Sequence, residues 1–423
     1  MQTALPEAVL ATPEGAEADA ILRKCVHCGF CTATCPTYQL LGDERDGPRG
    51  RIYLIKSLLE GVSDGAATRQ HLDRCLTCRA CETTCPSGVQ YGRLVDIGRA
   101  HLERRNVRPL LSRAIRWLLR RTLPQRAWFG AAVRVAQRLR PLMSAALRRK
   151  VPARVELAPW SPLPRARRML MLRGCVQPAL APSINRAMAR VLDAVGIQAI
   201  EVEEDACCGA LSHHLAATDE ALGYARRNID AWWPHVEAGA EAVIVTASGC
   251  GTMVREYGHL LRHDAAYAEK AARVSAMCRD PVEVLAAEDL HFARCDGPAA
   301  IVFHPPCSLQ HGLKLAGRTE QLLTGLGYRL GGIRDSHLCC GSAGSYSILQ
   351  PRISRELRAR KLGNLMASSP STIATANIGC MSYLQEVSPV PVRHWIELLA
   401  DALPAAAPAT QAVDIDPGAP RAQ

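Results

Sequence analysis

The chain has 423 residues, enough for two or three domains, and its 48% hydrophobic content allows an ordinary globular core. No run of about 18 apolar residues occurs, which excludes a membrane-spanning helix, and the 18 cysteines stand in tight groups rather than as a spread disulfide framework, which fits a reducing compartment. The net charge of +11 is local: residues 104–168 hold 18 Lys and Arg against one acid, Glu156, while the rest of the chain is mildly acidic, so nucleic acid is not an expected partner.

Residues 1–20 contain Glu7, Glu14, Glu17 and Asp19 and no Lys or Arg. That is the opposite of the charged start of an export signal, so a cytoplasmic protein with a flexible N-terminus over 1–20 is expected. Residues 21–100 read as one domain built on two cysteine runs. Cys25, Cys28, Cys31 and Cys35 precede Pro36; Cys75, Cys78, Cys81 and Cys85 precede Pro86, each position fifty residues after its counterpart. Both runs are C-x2-C-x2-C-x3-C-P, the spacing that holds paired [4Fe–4S] clusters in bacterial-type ferredoxins. Three thiolates spaced by two residues wrap one cluster, and the fourth starts a new direction and reaches the other. One cluster is thus expected on Cys25, Cys28, Cys31 and Cys85, and the other on Cys75, Cys78, Cys81 and Cys35. Zinc, which takes four ligands and usually two separated pairs, suits eight cysteines in this pattern poorly.

Between the runs, residues 42–51 read as a turn-rich loop and 52–59 as a short helix with Ile52, Ile55, Leu58 and Leu59 on one face. Arg45, Arg49 and Arg51 read either as a solvated loop or as charges beside the clusters. Residues 101–166 form a basic helical linker broken at Pro109, Pro124 and Pro141. Its apolar positions, among them Leu110, Leu111, Trp117 and Leu118, are flanked by Arg113, Arg116, Arg120 and Arg121. Basic amphipathic helices of this kind suit a partner subunit or a membrane surface, with a linker packed on its own protein as the alternative, and peripheral contact with the inner face of the cytoplasmic membrane is one expected role.

An internal repeat begins at residue 167. The first copy, 167–296, has a strand at 169–172, then Cys175, Cys207-Cys208-Gly209, a strand at 242–245, and Cys250. The second, 297–400, has a strand at 300–303, then Cys307, Cys339-Cys340-Gly341, a strand at 372–375, and Cys380. In both, 31 residues separate the first Cys from the Cys pair. Helical periodicity follows at 182–194 and 309–323. Short strands that end in Cys before a helix predict α/β modules with four thiols meeting outside the carboxyl ends of the strands. These are Cys175, Cys207, Cys208 and Cys250, and Cys307, Cys339, Cys340 and Cys380. Cys278 and Cys295 match nothing between the copies and read as structural. His213, His214 and His304 read first as structural groups. Proton handling is the functional alternative for the pair, and a hydrogen bond to a cluster sulfur the alternative for His304. Residues 401–423, rich in Ala and Pro, are expected to be disordered.

Each repeat resembles the cysteine-rich module found in heterodisulfide reductases and in many electron-transfer proteins. The whole of 20–400 resembles the iron–sulfur subunit of glycolate oxidase (glycolate dehydrogenase), on the two cysteine runs, Arg45-Asp46-Gly47-Pro48-Arg49-Gly50-Arg51-Ile52, Cys207-Cys208-Gly209-Ala210-Leu211-Ser212 and Cys339-Cys340-Gly341-Ser342-Ala343-Gly344. The resemblance implies a multidomain α+β and α/β fold: a ferredoxin-like domain with two [4Fe–4S] clusters, a helical linker and two cysteine-rich modules. It implies an electron relay within a hetero-oligomer, fed by an FAD-containing 2-hydroxy-acid dehydrogenase subunit that oxidises glycolate to glyoxylate, and passing electrons to a quinone or another acceptor. Lactate and glycerol-3-phosphate dehydrogenase systems share the modules, and so does a disulfide reductase of the heterodisulfide type. The full module ends in C-x-x-C; here Met253 and Tyr383 stand at the last position, which leaves a further iron–sulfur cluster, zinc or an empty thiol site open for each.

Overall fold

The computed structural model describes residues 1–63, 65–105, 108–157, 163–293, 295 and 300–403. Most of the expected disordered tail, 404–423, lies outside the described residues. The N-terminal domain is helical. Helices Pro13–Lys24, Pro48–Leu59, Ala66–Asp73 and Tyr91–Arg104 bury Ile21, Leu22, Ile55, Leu58, Leu72, Leu94 and Leu102 against one another. The expected flexible N-terminus is instead ordered. Glu7–Leu10 and Pro13–Lys24 are helices, Thr12 caps the second by accepting from Gly15 N at 3.1 Å, and the Met1 ammonium donates to the Cys25 carbonyl at 2.7 Å. An N-cap Thr followed by Pro at the first helical position starts that helix, and burial of Ala18, Ile21 and Leu22 holds it down. The turn-rich reading of 42–51 also needs correction: Glu44–Asp46 is a 3-10 turn, and the next helix starts at Pro48 rather than Ile52.

Helices Leu110–Thr122 and Arg126–Leu139 form the linker, broken where Pro109 and Pro124 lie. Each repeat is a four-stranded parallel sheet. The first holds β1 (Arg167–Met171), β2 (Ile197–Ile200), β3 (Val243–Ile244) and β4 (Cys278–Arg279) in the order β2-β1-β3-β4. The second holds β5 (Ala300–His304), β6 (Arg329–Leu330), β7 (Thr372–Thr375) and β8 (Val392–His394) in the order β6-β5-β7-β8. The continuous helix expected over 309–323 is divided into a π turn, Ser308–Gly312, and a helix, Arg318–Gly325. Lys314 and Gly317 take left-handed backbone at the break, and Gly312 lies close to Thr252. A Cβ on Gly312 would stand 2.5 Å from Thr252 Oγ1, and Gly317 caps the second helix at φ +76°, a conformation that glycine adopts without strain.

The modules share a core. Met169, Met188, Leu192 and Ile244 of the first pack in one cluster with Phe303, Trp395, Ile396 and Leu399 of the second. Polar ties cross the same boundary: His394 Nε2 meets the Thr246 carbonyl at 2.9 Å, and the Ser248 and Ser308 hydroxyls meet at 2.7 Å. This places the Cys-bearing ends of both sheets on one side of the molecule, under the N-terminal domain.

Candidate metal centres

The two cysteine runs fold alike because the same two positions take left-handed backbone in each. His27 and Gly29 have φ of 56° and 85°; Thr77 and Arg79, fifty residues on, have 54° and 60°. Alternation of left- and right-handed residues turns successive amides to one side, a concavity suited to an anion. Arg79 accepts this conformation without glycine's freedom, and its side chain is anchored 2.8 Å from Glu256 of the first module.

The chain interleaves as the spacing requires. One hollow is walled by Cys25, Cys28, Cys31 and Cys85, with Cys81 at its edge. A second is walled by Cys35, Cys75, Cys78 and Cys81. Burial, then the neighbouring Cys25, pushes the Cys31 thiol up to about 11. Burial likewise raises Cys81, with Cys78, Cys75 and Cys35 adding to it. Thiols that hold each other protonated in an apolar hollow need a cation to become thiolates, and the all-sulfur donor set suits iron–sulfur chemistry. Hydrogen bonds reach the sulfurs of the second hollow: Thr77 N and Tyr91 Oη to Cys75 Sγ at 3.4 and 3.6 Å. Arg51 Nη1 lies 4.0 Å from Cys35 Sγ. Arg51 is buried and also donates to the His71 carbonyl at 2.8 Å and pairs with Asp46 at 3.5 Å. Of the three arginines in this stretch, Arg51 thus reaches a thiol. Arg49 pairs with Glu44 at 2.7 Å and contacts the His27 carbonyl, and Arg45 turns to solvent with Asp43.

In the first module the thiols of Cys175, Cys207, Cys208 and Cys250 form a continuous chain of contacts. In the second, Cys307 and Cys339 lie 3.8 Å apart, and Cys340 and Cys380 continue the chain. Gly209 and Gly341, at φ +87° and +88°, turn each Cys pair inward. A Cβ at Gly341 would stand 2.5 Å from the Ser354 carbonyl oxygen. The last position of the full module contributes no donor in either copy: Met253 is buried in the first module's core, and Tyr383 bonds Ser354 Oγ at 2.5 Å. Cys278 and Cys295 stand apart. Cys278 is buried with its thiol toward the Gly251 carbonyl, and Cys295 packs on the shared core.

The second cysteine run is wedged between the modules. Cys78 is raised by burial and then by the proximity of Cys307. It packs with Leu76, Cys339 and Tyr346, and Tyr346 Oη donates to the Arg74 carbonyl at 2.9 Å. Toward the first module the contacts are ionic. Besides Arg79, Arg93 reaches Glu256 at 3.3 Å, and Asp96 faces His213 Nε2 at 3.2 Å and His214 Nδ1 at 3.4 Å. Burial opposes charge on Asp96, but the two imidazoles outweigh it and hold the carboxyl well below the usual range. A cavity of about 1210 Å³ lies between the three parts, lined by Cys78, by thiols of both modules and by Asp96, His213 and His214. The spacing of the Cys runs makes the eight N-terminal thiols readable from sequence. Asp96 and Tyr91 belong to no motif: folding of the N-terminal domain brings Tyr91 to Cys75, and only docking on the first module brings Asp96 to its histidines.

The chain matches the family described as "4Fe-4S dicluster domain" over residues 21–89 and that described as "Cysteine-rich domain" over 169–255 and 301–385. It is 53% identical over 404 residues to the "Glycolate oxidase iron-sulfur subunit" of Escherichia coli K12, covering 95% of this chain and 99% of that one. It is 31% identical over 393 residues to the "Probable glycolate oxidase iron-sulfur subunit" of Bacillus subtilis 168, covering 85% and 87%. The "Lactate utilization protein A" of an Exiguobacterium strain is 23% identical over 235 residues, 53% of this chain and 94% of the relative.

Proposed function

We propose, since this chain belongs to the family of glycolate oxidase iron–sulfur subunits, that it is the electron relay of a glycolate-oxidising complex. On this reading an FAD-containing partner subunit oxidises glycolate to glyoxylate, and this chain delivers the electrons to a quinone or another acceptor. Cys25, Cys28, Cys31 and Cys85 would hold one [4Fe–4S] cluster and Cys75, Cys78, Cys81 and Cys35 the other; bound there, clusters supply one-electron storage. The observation that carries the reading is the placement of Cys78, which belongs to the second hollow and packs against Cys307 and Cys339 of the second module. The thiols of the second hollow and of the second module therefore adjoin, and Cys175, Cys207, Cys208 and Cys250 face the same cavity from the other side.

The chain's own residues set the conditions. Tyr91, Thr77 and Arg51 direct hydrogen-bond donors or positive charge toward the sulfurs of the second hollow, which favours added negative charge there. The ion pairs of Glu256 with Arg79 and Arg93 hold the domain in register.

The linker supports contact with a membrane surface, where a quinone resides. Four of its arginines turn inward: Arg108 and Arg116 bind Asp73 at 2.6 and 2.9 Å, Arg120 binds Glu220 at 3.2 Å, and Arg126 binds Asp205, while Arg113, Arg121, Arg134 and Arg138 are exposed. Its apolar residues turn outward, with Leu110 79% and Trp128 77% exposed. Among the described residues no helix is long and apolar enough to cross a membrane.

The relay is tested on anaerobically purified complex. About eight iron and eight sulfide per chain, with a spin-coupled reduced signal, are expected if the two runs alone are loaded, and more iron if the modules are too. Cys28→Ser and Cys78→Ser should stop electron delivery while the flavin subunit still binds glycolate; normal acceptor turnover in either variant rejects the relay.

A further inference from the structure

The two modules are copies of one another, so a residue that differs between them at the thiol site carries information. Cys175 corresponds to Cys307 and Cys207-Cys208-Gly209 to Cys339-Cys340-Gly341. Three residues before the first thiol, the first module has Leu172, a buried apolar side chain just after β1. The second has His304, the last residue of β5. His304 is fully buried, and neither Nδ1 nor Nε2 has a hydrogen-bond partner. Its backbone is occupied: the strand pairs with β7, and Thr375 Oγ1 donates to the His304 carbonyl at 3.0 Å. A neutral imidazole carries one donor and one acceptor, and buried polar groups left without partners mark a missing ligand or a special role.

The surroundings point to a ligand. A ring nitrogen of His304 and the sulfurs of Cys340 and Cys380 lie within 4.8 Å of one another, and both cysteines belong to the module's thiol chain. Tyr383, which stands where the full module has its last cysteine, is engaged elsewhere, bonded to Ser354 and stacked against the Arg358 guanidinium at 4.2 Å. The first module has no nitrogen in the corresponding place, and its nearby histidines, His213 and His214, face Asp96.

We propose that His304 is a metal ligand, so that the second module holds its metal through an imidazole nitrogen together with cysteine sulfurs while the first relies on sulfur alone. Mixed nitrogen and sulfur donors suit a borderline cation, either an iron of a cluster or a single zinc ion. The inference rests on the reading above in so far as the module thiols bind metal at all, and the experiment separates the two.

The full chain, labelled with ¹⁵N-histidine and purified anaerobically, is compared with Cys340→Ser, His304→Leu and His304→Cys, each checked for unchanged thermal unfolding. His304→Leu installs the residue that the first module has three positions before its first thiol. Cys340→Ser identifies the metal of the second module as the one it removes. If that metal is zinc, X-ray absorption at its edge should show a light nitrogen scatterer beside sulfur, lost in His304→Leu and replaced by an all-sulfur shell in His304→Cys. If it is iron, pulsed EPR should show a ¹⁵N coupling that disappears in His304→Leu. Metal that Cys340→Ser removes but that has only sulfur neighbours in the unmodified protein overturns the proposal and leaves thiol binding intact. Metal content that Cys340→Ser leaves unchanged overturns both.

Discussion

The two cysteine-rich modules have the same strand order and the same thiol offsets, yet they surround their thiols differently. In the first, the neutral Asn228 holds the Cys pair. It accepts from Ala206 N at 2.7 Å, and its amide donates to the Cys207 carbonyl and Tyr257 Oη, both at 3.0 Å. Gly209 approaches Ala221 and Tyr224 as Gly341 approaches Ser354 and Leu357, and by that correspondence Lys361 takes the place of Asn228. The buried Lys361 ammonium donates to the Asp335 and Ser336 carbonyls at 2.8 and 3.2 Å. Burial lowers its pKa, and Cys340 and Cys339 act in the opposite sense. Gly341 N reaches Cys339 at 3.4 Å as Gly209 reaches Cys207 in the first module, and the second site adds Asn377 Nδ2 to Cys380 at 3.6 Å. The duplicated scaffold therefore makes a neutral, hydrogen-bonded thiol site beside an Asp–His–His group and an electropositive thiol site beside Cys78.

The comparison breaks most visibly at the paired glycines. Gly341→Ala puts a Cβ into a left-handed position and 2.5 Å from the Ser354 carbonyl oxygen, whereas at Gly209 the nearest atom is 3.0 Å away. The backbone term alone costs about 1–2 kcal/mol for a residue other than glycine. Thermal unfolding should show Gly341→Ala losing roughly 3 kcal/mol or more and Gly209→Ala losing less; equal losses would mean that the two turns are equally constrained. Next in size are the matched interior residues. Asn228→Leu leaves the Ala206 amide and the Cys207 carbonyl unpaired, at about 1–3 kcal/mol each, with no effect on reduction potentials. Lys361→Met should cost a similar amount and also lower the potential of any redox group on the second module's thiols, read by anaerobic titration. Were Asn228→Leu to shift that potential as much, the electrostatic contrast between the modules would not stand.

Much of this contrast lies outside what a single sequence displays. The thiol offsets are legible because a repeat exposes them and because thiolate geometry restricts spacing. The start of helix Pro13–Lys24 was also written in the chain, as Thr12 capping ahead of Pro13, but acidic composition favours the opposite reading of 1–20. The break after Gly312 escapes periodicity because Leu309, Leu313 and Leu315 are all buried whether or not the helix is continuous. Asp96, more than one hundred residues from His213, and Lys361, which corresponds to an asparagine, carry no local pattern at all. Packing creates their roles.

A smaller effect sharpens the first module's side of the comparison. Burial works against charge on His213, yet Asp96 outweighs it and raises the imidazole pKa; burial holds His214 below its ordinary value. A raised histidine pKa stabilises docking fully below the unperturbed value and loses that contribution as pH rises through the elevated one. Asp96, held low, contributes above its unperturbed value and fails only as pH falls through the depressed one. Docking of helix Tyr91–Arg104 on the first module should therefore weaken as pH rises through the raised His213 value, while the depressed His214 acts in the opposite sense at mildly acidic pH, both seen in amide exchange corrected for intrinsic rates. Asp96→Asn should lose on the order of 2 kcal/mol of this contact and flatten the pH response. A response that survives in Asp96→Asn assigns it to another group.

The least effect on the fold is expected where the linker faces outward. Trp128 is 77% exposed and packs on no core cluster, so Trp128→Ser should change stability by no more than about 0.5 kcal/mol. Its indole lies on the apolar face of Arg126–Leu139 with Val135 and Leu139, also exposed. If that face enters a bilayer interface, its area should contribute to binding together with the exposed Arg134 and Arg138 of the same helix. Flotation with vesicles containing anionic lipid should carry the unmodified chain upward and lose most of the Trp128→Ser, Leu139→Ser double variant, with the metal content of both unchanged. Retention of the variant at the membrane would move the contact to another surface. Loss of the flavin subunit from the variant in vesicle-free solution would instead identify this face as the seat of that partner, and the inward turn of Arg116, Arg120 and Arg126 would then serve to present a protein-binding ridge.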